Sequence, residues 1–251
     1  MLSKNQIKEI QSLQLKKFRD SGKLFIAEGI KTVCEIIDQR PEALKEIFAT
    51  RDFIESHSEK IGSLRVTEAS ETDLKKISLQ NTPNHVLSVC HYFDETPPVF
   101  DFKSNFSLYL DDVRDPGNLG TIIRLAGWFG LSTIFCSPAS CDFYNPKVIQ
   151  STMGAFLRVN VVYTGLPELL AQIPGVPVYG AVLNGKSLYA EKPGNGLIII
   201  GNEANGISEA NLELVSNPIT IPAGGQNNTE SLNAAIATSI IVSEFFRQLK
   251  L

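Results

Sequence analysis

Apolar positions along this chain recur in two rhythms, helical spacing and short continuous runs, and the two alternate from end to end. Ser3 followed by Gln6 has the form of a capping box, and Ile7, Ile10, Leu13 and Phe18 recur at near-helical spacing, which predicts a first helix over 3–19. Strand-like runs follow at LFIAEG, EIFAT, LRVTE and HVLSVCHY, interleaved with the helix-like stretches IKTVCEIIDQR and TDLKKIS. From 94 to 106 the chain combines Pro97-Pro98 with acidic and aromatic residues and no sustained period, as expected of a linker. These features divide the chain into a smaller α/β domain over 1–93 and a second domain over 107–251.

The second part carries longer apolar runs in a βα rhythm: SLYLDDV, a helix from Asn118 to Phe129, STIFC, a helix near 145–152, VNVVY and a helix near 166–173. VPVYGAVL, GLIIIG, a helix near 208–215 and PITIP continue it. Such strands read as buried on both faces, which implies a parallel sheet with helices packed on either side. The chain closes on a long helix whose Leu232, Ala235, Ile236, Ile240, Ser243 and Phe246 share one face.

Composition adds limits. With 251 residues, 43% of them hydrophobic, 20% charged and a net charge of −4, the chain has enough apolar surface for an ordinary core. No apolar run reaches the ~18 residues a membrane span needs, and the first residues lack the apolar centre of a signal peptide, so a cytoplasmic location with no membrane partner is expected. Cys34, Cys90, Cys136 and Cys141 form no CxxC and have no histidine at ligand spacing; they read as small core residues, and no metal site is expected. The acidic total argues mildly against nucleic acid, but Lys4, Lys8, Lys16, Lys17, Arg19 and Lys23 face only Glu9 and Asp20 in the first 23 residues. That segment is either a solvated helix face or an RNA contact.

Three clusters carry candidate chemistry. In LDDVRDPGNLGTIIRLAGWFG a strand enters a Pro116-Gly117 turn, Asn118 is placed to cap the next helix, and Arg124 stands among Ile122, Ile123, Leu125 and Ala126. An unpaired guanidinium buried there would be costly, so Arg124 should face a carboxylate such as Glu203 or an anionic ligand. In LIIIGNEANGIS a strand ends at Gly201-Asn202-Glu203, where a glycine allows close approach of a ligand to the backbone at the edge where open α/β sheets bind them. In ITIPAGGQNNTESLNAAIA a strand passes through a Gly/Asn-rich loop to Ser231-Leu232-Asn233, with Ser231 in position to cap the final helix.

The order N-x-x-x-x-x-R after D-P-G, then G-N-E-x-x-G, then I-P followed by S-L-N, resembles the SpoU (TrmH-like) family of RNA 2′-O-ribose methyltransferases in the SPOUT superfamily, over about 105–250. I-A-E-G-I-K-x-V, after the first helix, resembles the ribosomal-protein-like substrate-binding domain of the family's ribosomal RNA enzymes. The resemblance implies a deep trefoil knot, which chain-threading base rates alone would not suggest. It implies S-adenosylmethionine as donor, held near Gly201, Asn202, Gly206, Ile221 and Leu232 with Leu183 as a neighbour, and a homodimer through the knotted domain. It assigns activation of the 2′-hydroxyl to Arg124, with Asn118, Glu203, Ser231 and Asn233 orienting it and the ribose. Because a guanidinium stays protonated, the physically easier role is to bind the neighbouring phosphate or steady the developing alkoxide. Here Ala223 stands where the family usually has Met, and GGQNNTE lengthens the following loop.

Ribosomal RNA is the favoured substrate. The same reaction on transfer RNA, and an inactive RNA-binding module on the same fold, are the alternatives. A dinucleotide oxidoreductase would need a G-x-G-x-x-G turn, which the chain does not contain.

Overall fold

The structure is a computed structural model that describes residues 2–80, 82, 84–94, 102, 105–190, 192, 194–225 and 231–250. It divides into two compact units, Met1–Thr96 with Asp142–Leu157, and Pro97–Cys141 with Arg158–Leu251. The expected continuous division therefore needs amending, because a segment inside 107–251 belongs to the first unit. Aromatic burial is the reason: in that segment Tyr144 stacks on Tyr92 at 3.8 Å, and Phe156 on Phe93 at 6.0 Å, with Phe25 beneath. Of the expected linker, residues 95–101, 103 and 104 lie outside the described residues.

The first unit runs α1 (Lys4–Ser12), α2 (Lys16–Gly22), β1 (Leu24–Glu28), α3 (Ile30–Gln39), β2 (Leu44–Ala49), α4 (Arg51–Ser56), α5 (Ser58–Ile61), β3 (Val66–Glu68), α6 (Glu71–Ile77) and β4 (Val86–His91). The sheet order is β1-β4-β2-β3, antiparallel except for the β2–β3 pair. The two short helices α4 and α5 were not expected, since six and four residues give too little pattern to recognise.

The capping box at Ser3 and Gln6 is present, but the single helix over 3–19 is not. Arg19 breaks it. Its guanidinium, 1% exposed, donates through Nη1 to the carbonyls of Leu13 (2.8 Å) and Gln14 (2.7 Å), turning them out of the helix ladder, and through Nη2 to Asp142 at 2.6 Å. Arg19 is thus corrected from a candidate RNA contact to a buried structural cation. Lys4, Lys8, Lys16, Lys17 and Lys23 are exposed, with Lys16 paired to Asp20.

The second unit's strands are β5 (Phe106–Leu110), β6 (Thr133–Cys136), β7 (Asn160–Tyr163), β8 (Val178–Ser187), β9 (Gly196–Ile200) and β10 (Asn217–Thr220). They form one six-stranded parallel sheet in the order β10-β8-β9-β5-β6-β7. Its helices are α7 (Pro116–Trp128), α9 (Leu166–Gln172), α10 (Glu209–Leu212) and α11 (Ala234–Lys250); α8 (Pro146–Ser151) belongs to the first unit. Burial on both faces holds for β5, β6 and β9 in the middle of the sheet, whereas the edge strands β7 and β10 are largely half-buried or exposed. On one face Tyr109, Phe135, Leu197 and Ile199 pack with Leu166 and Leu169 of α9. Phe106 and Tyr179 meet Phe245 of α11 at 5.5 and 4.9 Å between ring centroids.

The inward face of α11 is Ala234, Ala235, Thr238, Ile241, Val242 and Phe245. The stripe read from the sequence lies mostly off it, with Ile236 53% exposed. A helix apolar nearly all round carries two such stripes, and its periodicity does not rank them. Cys90 and Cys136 are buried, and burial pushes the Cys90 thiol up to about 12 and raises that of Cys136. Among the described residues no helix is long and apolar enough to cross a membrane, and no group of His, Cys, Asp and Glu is placed to hold a metal ion.

The Arg19–Asp142 pair generates a prediction. Arg19→Ala takes the cationic partner from a mostly buried Asp142 and the donor from two carbonyls, so thermal unfolding should lose about 3–5 kcal/mol. For a chain of this size that is a drop in Tm of roughly 6–20 °C by calorimetry. A shift below about 2 °C would show that the pair does not hold the first unit together.

Candidate active site

A parallel sheet with both faces covered leaves the ends of its strands for polar work, and the three motif segments all leave carboxyl ends: β5 at Leu110, β9 at Ile200 and β10 at Thr220. β5 and β9 are neighbours in register, Leu110 opposite Ile200, so their loops emerge side by side.

The loop after β5 begins with Asp111, 4% exposed, whose Oδ2 accepts from the backbone N–H and the hydroxyl of Ser208, both at 2.8 Å. Asp112 follows at φ 59°, its N–H donating to Ser137 Oγ and its carboxylate paired with Arg114 at 2.7 Å. Asp115, not Asn118, caps α7: its side chain accepts from the Asn118 N–H at 2.8 Å, and Pro116 takes the first helical position. The cap lies three residues earlier than expected because Pro116 fits the first turn, where no N–H partner is required.

That shift frees the Asn118 side chain. Its Nδ2 donates to Glu203 Oε1 at 2.5 Å, and its Oδ1 accepts from Asn233 Nδ2 at 2.9 Å. Asn233 in turn caps α11, its Oδ1 accepting from the N–H groups of Ala235 (2.9 Å) and Ile236 (3.3 Å). Glu203, Asn118 and Asn233, one from each motif segment, form a single hydrogen-bonded chain. Ser231, read as the candidate cap, is exposed and makes no side-chain hydrogen bond among the described residues.

Arg124 is exposed on α7, six residues beyond Asn118, and has no carboxylate partner among the described residues. Of the two expected partners, a carboxylate such as Glu203 or an anionic ligand, the carboxylate is corrected. Ile122, Ile123 and Ala126 are buried, but a helix turns about 100° per residue, and position 124 points to the opposite side. Glu203 bonds to Asn118 instead.

The loop after β9 is a closed turn. Asn202 and Gly206 exchange backbone hydrogen bonds at 2.9 Å. Asn202 Oδ1 accepts from Ala204 N–H (2.9 Å) and Asn205 N–H (3.1 Å), and its Nδ2 donates to the Asp112 carbonyl at 2.8 Å. Gly206 takes φ 68°, which a glycine adopts without strain. At Gly201, a Cβ would lie 2.2 Å from the Gly206 carbonyl carbon and 2.3 Å from the Ile207 nitrogen, so its own loop is what demands a glycine. The side chain of Thr220, at the end of β10, donates to the Leu183 carbonyl at 3.0 Å, which brings the end of β10 to β8. Leu183 is 71% exposed, Leu232 46%, and Ile221 half-buried. Residues 226–230 of the lengthened loop lie outside the described residues.

Sequence reading missed Asp111 and Ser208, the tie between the loops after β5 and β9. The available signal was a second acidic residue at the end of an otherwise apolar strand.

The profile of the SpoU rRNA Methylase family matches residues 105–243, and that of the MRM3-like substrate binding domain matches residues 4–88. The chain is 32% identical to the 23S rRNA (guanosine(2553)-2'-O)-methyltransferase RlmP of Bacillus subtilis (strain 168), covering 96% of each chain. Among solved structures, a putative RNA methyltransferase of the TrmH family from Porphyromonas gingivalis superposes with a TM-score of 0.85 at 37% identity over 99% of both chains. An AdoMet-bound rRNA methyltransferase from Sinorhizobium meliloti gives a TM-score of 0.83 at 26% identity, over 99% of this chain and 97% of that one.

The packing at Gly201 sets an expected outcome. Gly201→Ala should destabilise the protein by more than about 1 kcal/mol with no ligand present, because backbone must move to admit the methyl. Gly224→Ala, with open space around it, should be close to neutral. Equal melting temperatures for the two variants would contradict this and return Gly201 to the role of a ligand contact.

Proposed function

We propose, from the premise that this chain belongs to the SpoU rRNA methylase family, that it moves a methyl group from S-adenosylmethionine to a ribose 2′-hydroxyl of ribosomal RNA. With the family goes its knotted α/β fold, here the six-stranded parallel sheet of the second unit. The observation that carries the reading is the hydrogen-bonded chain of Glu203, Asn118 and Asn233, which unites three loops on the helix that also presents Arg124 to solvent.

When bound, S-adenosylmethionine supplies a methyl carbon on a sulfonium, a good leaving group. β8 and the loops after β9 and β10 suit it: Leu183 on β8 and Leu232 after β10 are exposed apolar residues fit to cover an adenine, and Gly201, Asn202, Gly206 and Ile221 bring main chain to the ends of β9 and β10. What this chain contributes is alignment, on the order of 7–11 kcal/mol in well-oriented model reactions. Arg124, a permanent cation without a carboxylate partner among the described residues, binds the phosphate next to the target ribose and steadies the alkoxide as the hydroxyl loses its proton. Asn118, Glu203 and Asn233 hold the three loops in one arrangement, and Ser231 stands open to the ribose. Exposed Lys4, Lys8, Lys16, Lys17 and Lys23 supply the salt-sensitive part of RNA affinity. A cytoplasmic location is part of the same proposal, supported by the likeness to a bacterial enzyme along the whole chain.

The reading includes a second copy of the chain. α7 and α11 pack together through Phe129 and Phe246 at 5.2 Å, yet leave Trp128 85% and Ile236 53% exposed. Sedimentation should show a dimer, with Ile236→Glu shifting it to monomer. A monomeric parent protein would overturn this element alone.

The test of function is single-turnover transfer of labelled methyl to ribosomal RNA with donor and RNA saturating. Arg124→Lys keeps the charge but not the planar fork, so its rate should fall at least about 100-fold while the donor affinity and Tm stay at parent values. Because Arg124 is exposed, the fold does not depend on it. A Lys variant with the parent rate would remove Arg124 from the chemistry and leave Ser231 as the next residue to test.

A further inference from the structure

The first unit carries an open cleft of about 600 Å³ that the chemistry above does not use, within the size range of pockets that hold a small ligand. Its floor is apolar: Ile26 and Ile149 are each 1% exposed, with half-buried Leu79 beside them. Its walls are Glu28, Gln80, Asn145 and Gln150. The rim also carries Lys147, and an apolar floor ringed by amides, one carboxylate and one ammonium suits a flat heterocycle with donors on one edge and acceptors on another.

Glu28 is the acidic residue of the I-A-E-G segment, at the end of β1, and no role in the reaction falls to it. Its carboxylate is fixed from behind, Oε2 accepting from Ser78 Oγ at 2.5 Å and Oε1 from the Leu79 N–H at 2.9 Å. A carboxylate offers about four lone-pair sites, so roughly two remain for a ligand. The amides opposite are polarised the other way. Gln80 Oε1 accepts from Asn84 Nδ2 at 2.8 Å, and Asn145 Oδ1 accepts from the Lys147 N–H at 2.9 Å, which leaves both NH₂ groups as donors. The site therefore asks for two adjacent donors on one edge of the ligand and acceptors on another. Guanine alone among the RNA bases has that pattern, with N1–H and N2–H beside each other and O6 and N7 as acceptors.

We propose that this cleft takes one unpaired guanine of the RNA substrate, its donor edge on Glu28, and so contributes to selecting which RNA is modified. Single-stranded RNA is read in this way, by bases splayed out of the stack and bonded along their edges. The proposal rests on the RNA reading above, and its test separates the two.

The measurement is displacement of labelled ribosomal RNA from the full-length protein by the pentamers UUGUU, UUIUU and UUAUU, where I is inosine, which lacks the N2 amino group. UUGUU should compete best, by about tenfold over UUIUU, the worth of one hydrogen bond to a charged group. Glu28→Gln should abolish that preference. Because Glu28 also accepts from the backbone and its variant is at risk of misfolding, Gln150→Trp provides a second arm: position 150 is exposed, and an indole there covers the cleft without replacing a buried side chain. It should erase the guanine preference with S-adenosylmethionine affinity unchanged. Equal competition by the three pentamers, or a folded Gln150→Trp protein that still prefers guanine, would overturn the proposal. A parent that transfers methyl without the preference overturns this site alone, whereas one that shows the preference without transfer overturns the reaction and leaves the site standing.

Discussion

A parallel sheet covered on both faces confines every polar function to the ends of its strands, and the second unit is organised around that limit. β5, β6 and β9 are buried along their whole length, so a charged side chain within them would have neither solvent nor partner. The first polar residues after β5 and β9 are Asp111 and Asn202, and both are satisfied at once, by Ser208 and by the Asp112 carbonyl. The loops are thereby fixed to one another before any ligand is considered. Asn118 and Asn233 extend the same network to the start of α11.

The arrangement puts rigid and exposed groups at different places. Side chains in the network accept or donate to fixed partners, and each such bond is worth about 1 kcal/mol net, enough in sum to hold three loops in register. Arg124 and Ser231 stand outside it, exposed and without partners among the described residues, which leaves them available to a substrate. Preorganised surroundings with a few unengaged polar groups are what alignment of a ribose oxygen with a methyl carbon requires, since an alkoxide is steadied best by groups that need not reorganise. The first unit repeats the pattern on a smaller scale, where Glu28 is held from behind and faces a cleft.

Much of this was legible in the chain. Period and run length place all ten strands among the described residues to within a few positions, and the order of the three motifs identifies the loops that meet. What stayed hidden depended on contacts distant in sequence. Arg19 looked like one more lysine-rich surface cation until its partner Asp142, 123 residues away, brought it inside. The same pair adds to the stacking of Tyr144 on Tyr92 and Phe156 on Phe93 that assigns Asp142–Leu157 to the first unit, which no local pattern indicates. The sequence offers Asn118 as well as Asp115 for the capping role that Asp115 performs, because Asn and Asp cap equally well and only the position of Pro116 decides between them. The trefoil knot came from resemblance, since threading leaves no mark on hydrophobic period.

The central claim is that the methyl group arrives on a ribose oxygen of ribosomal RNA. It is tested most directly by incubating ribosomal RNA from cells lacking this gene with the protein and methyl-labelled S-adenosylmethionine, then locating the label by nuclease digestion and mass spectrometry. The account predicts one labelled nucleoside with the added mass on its ribose and an alkali-resistant phosphodiester on its 3′ side; label on a base, or none in ribosomal RNA, would contradict it.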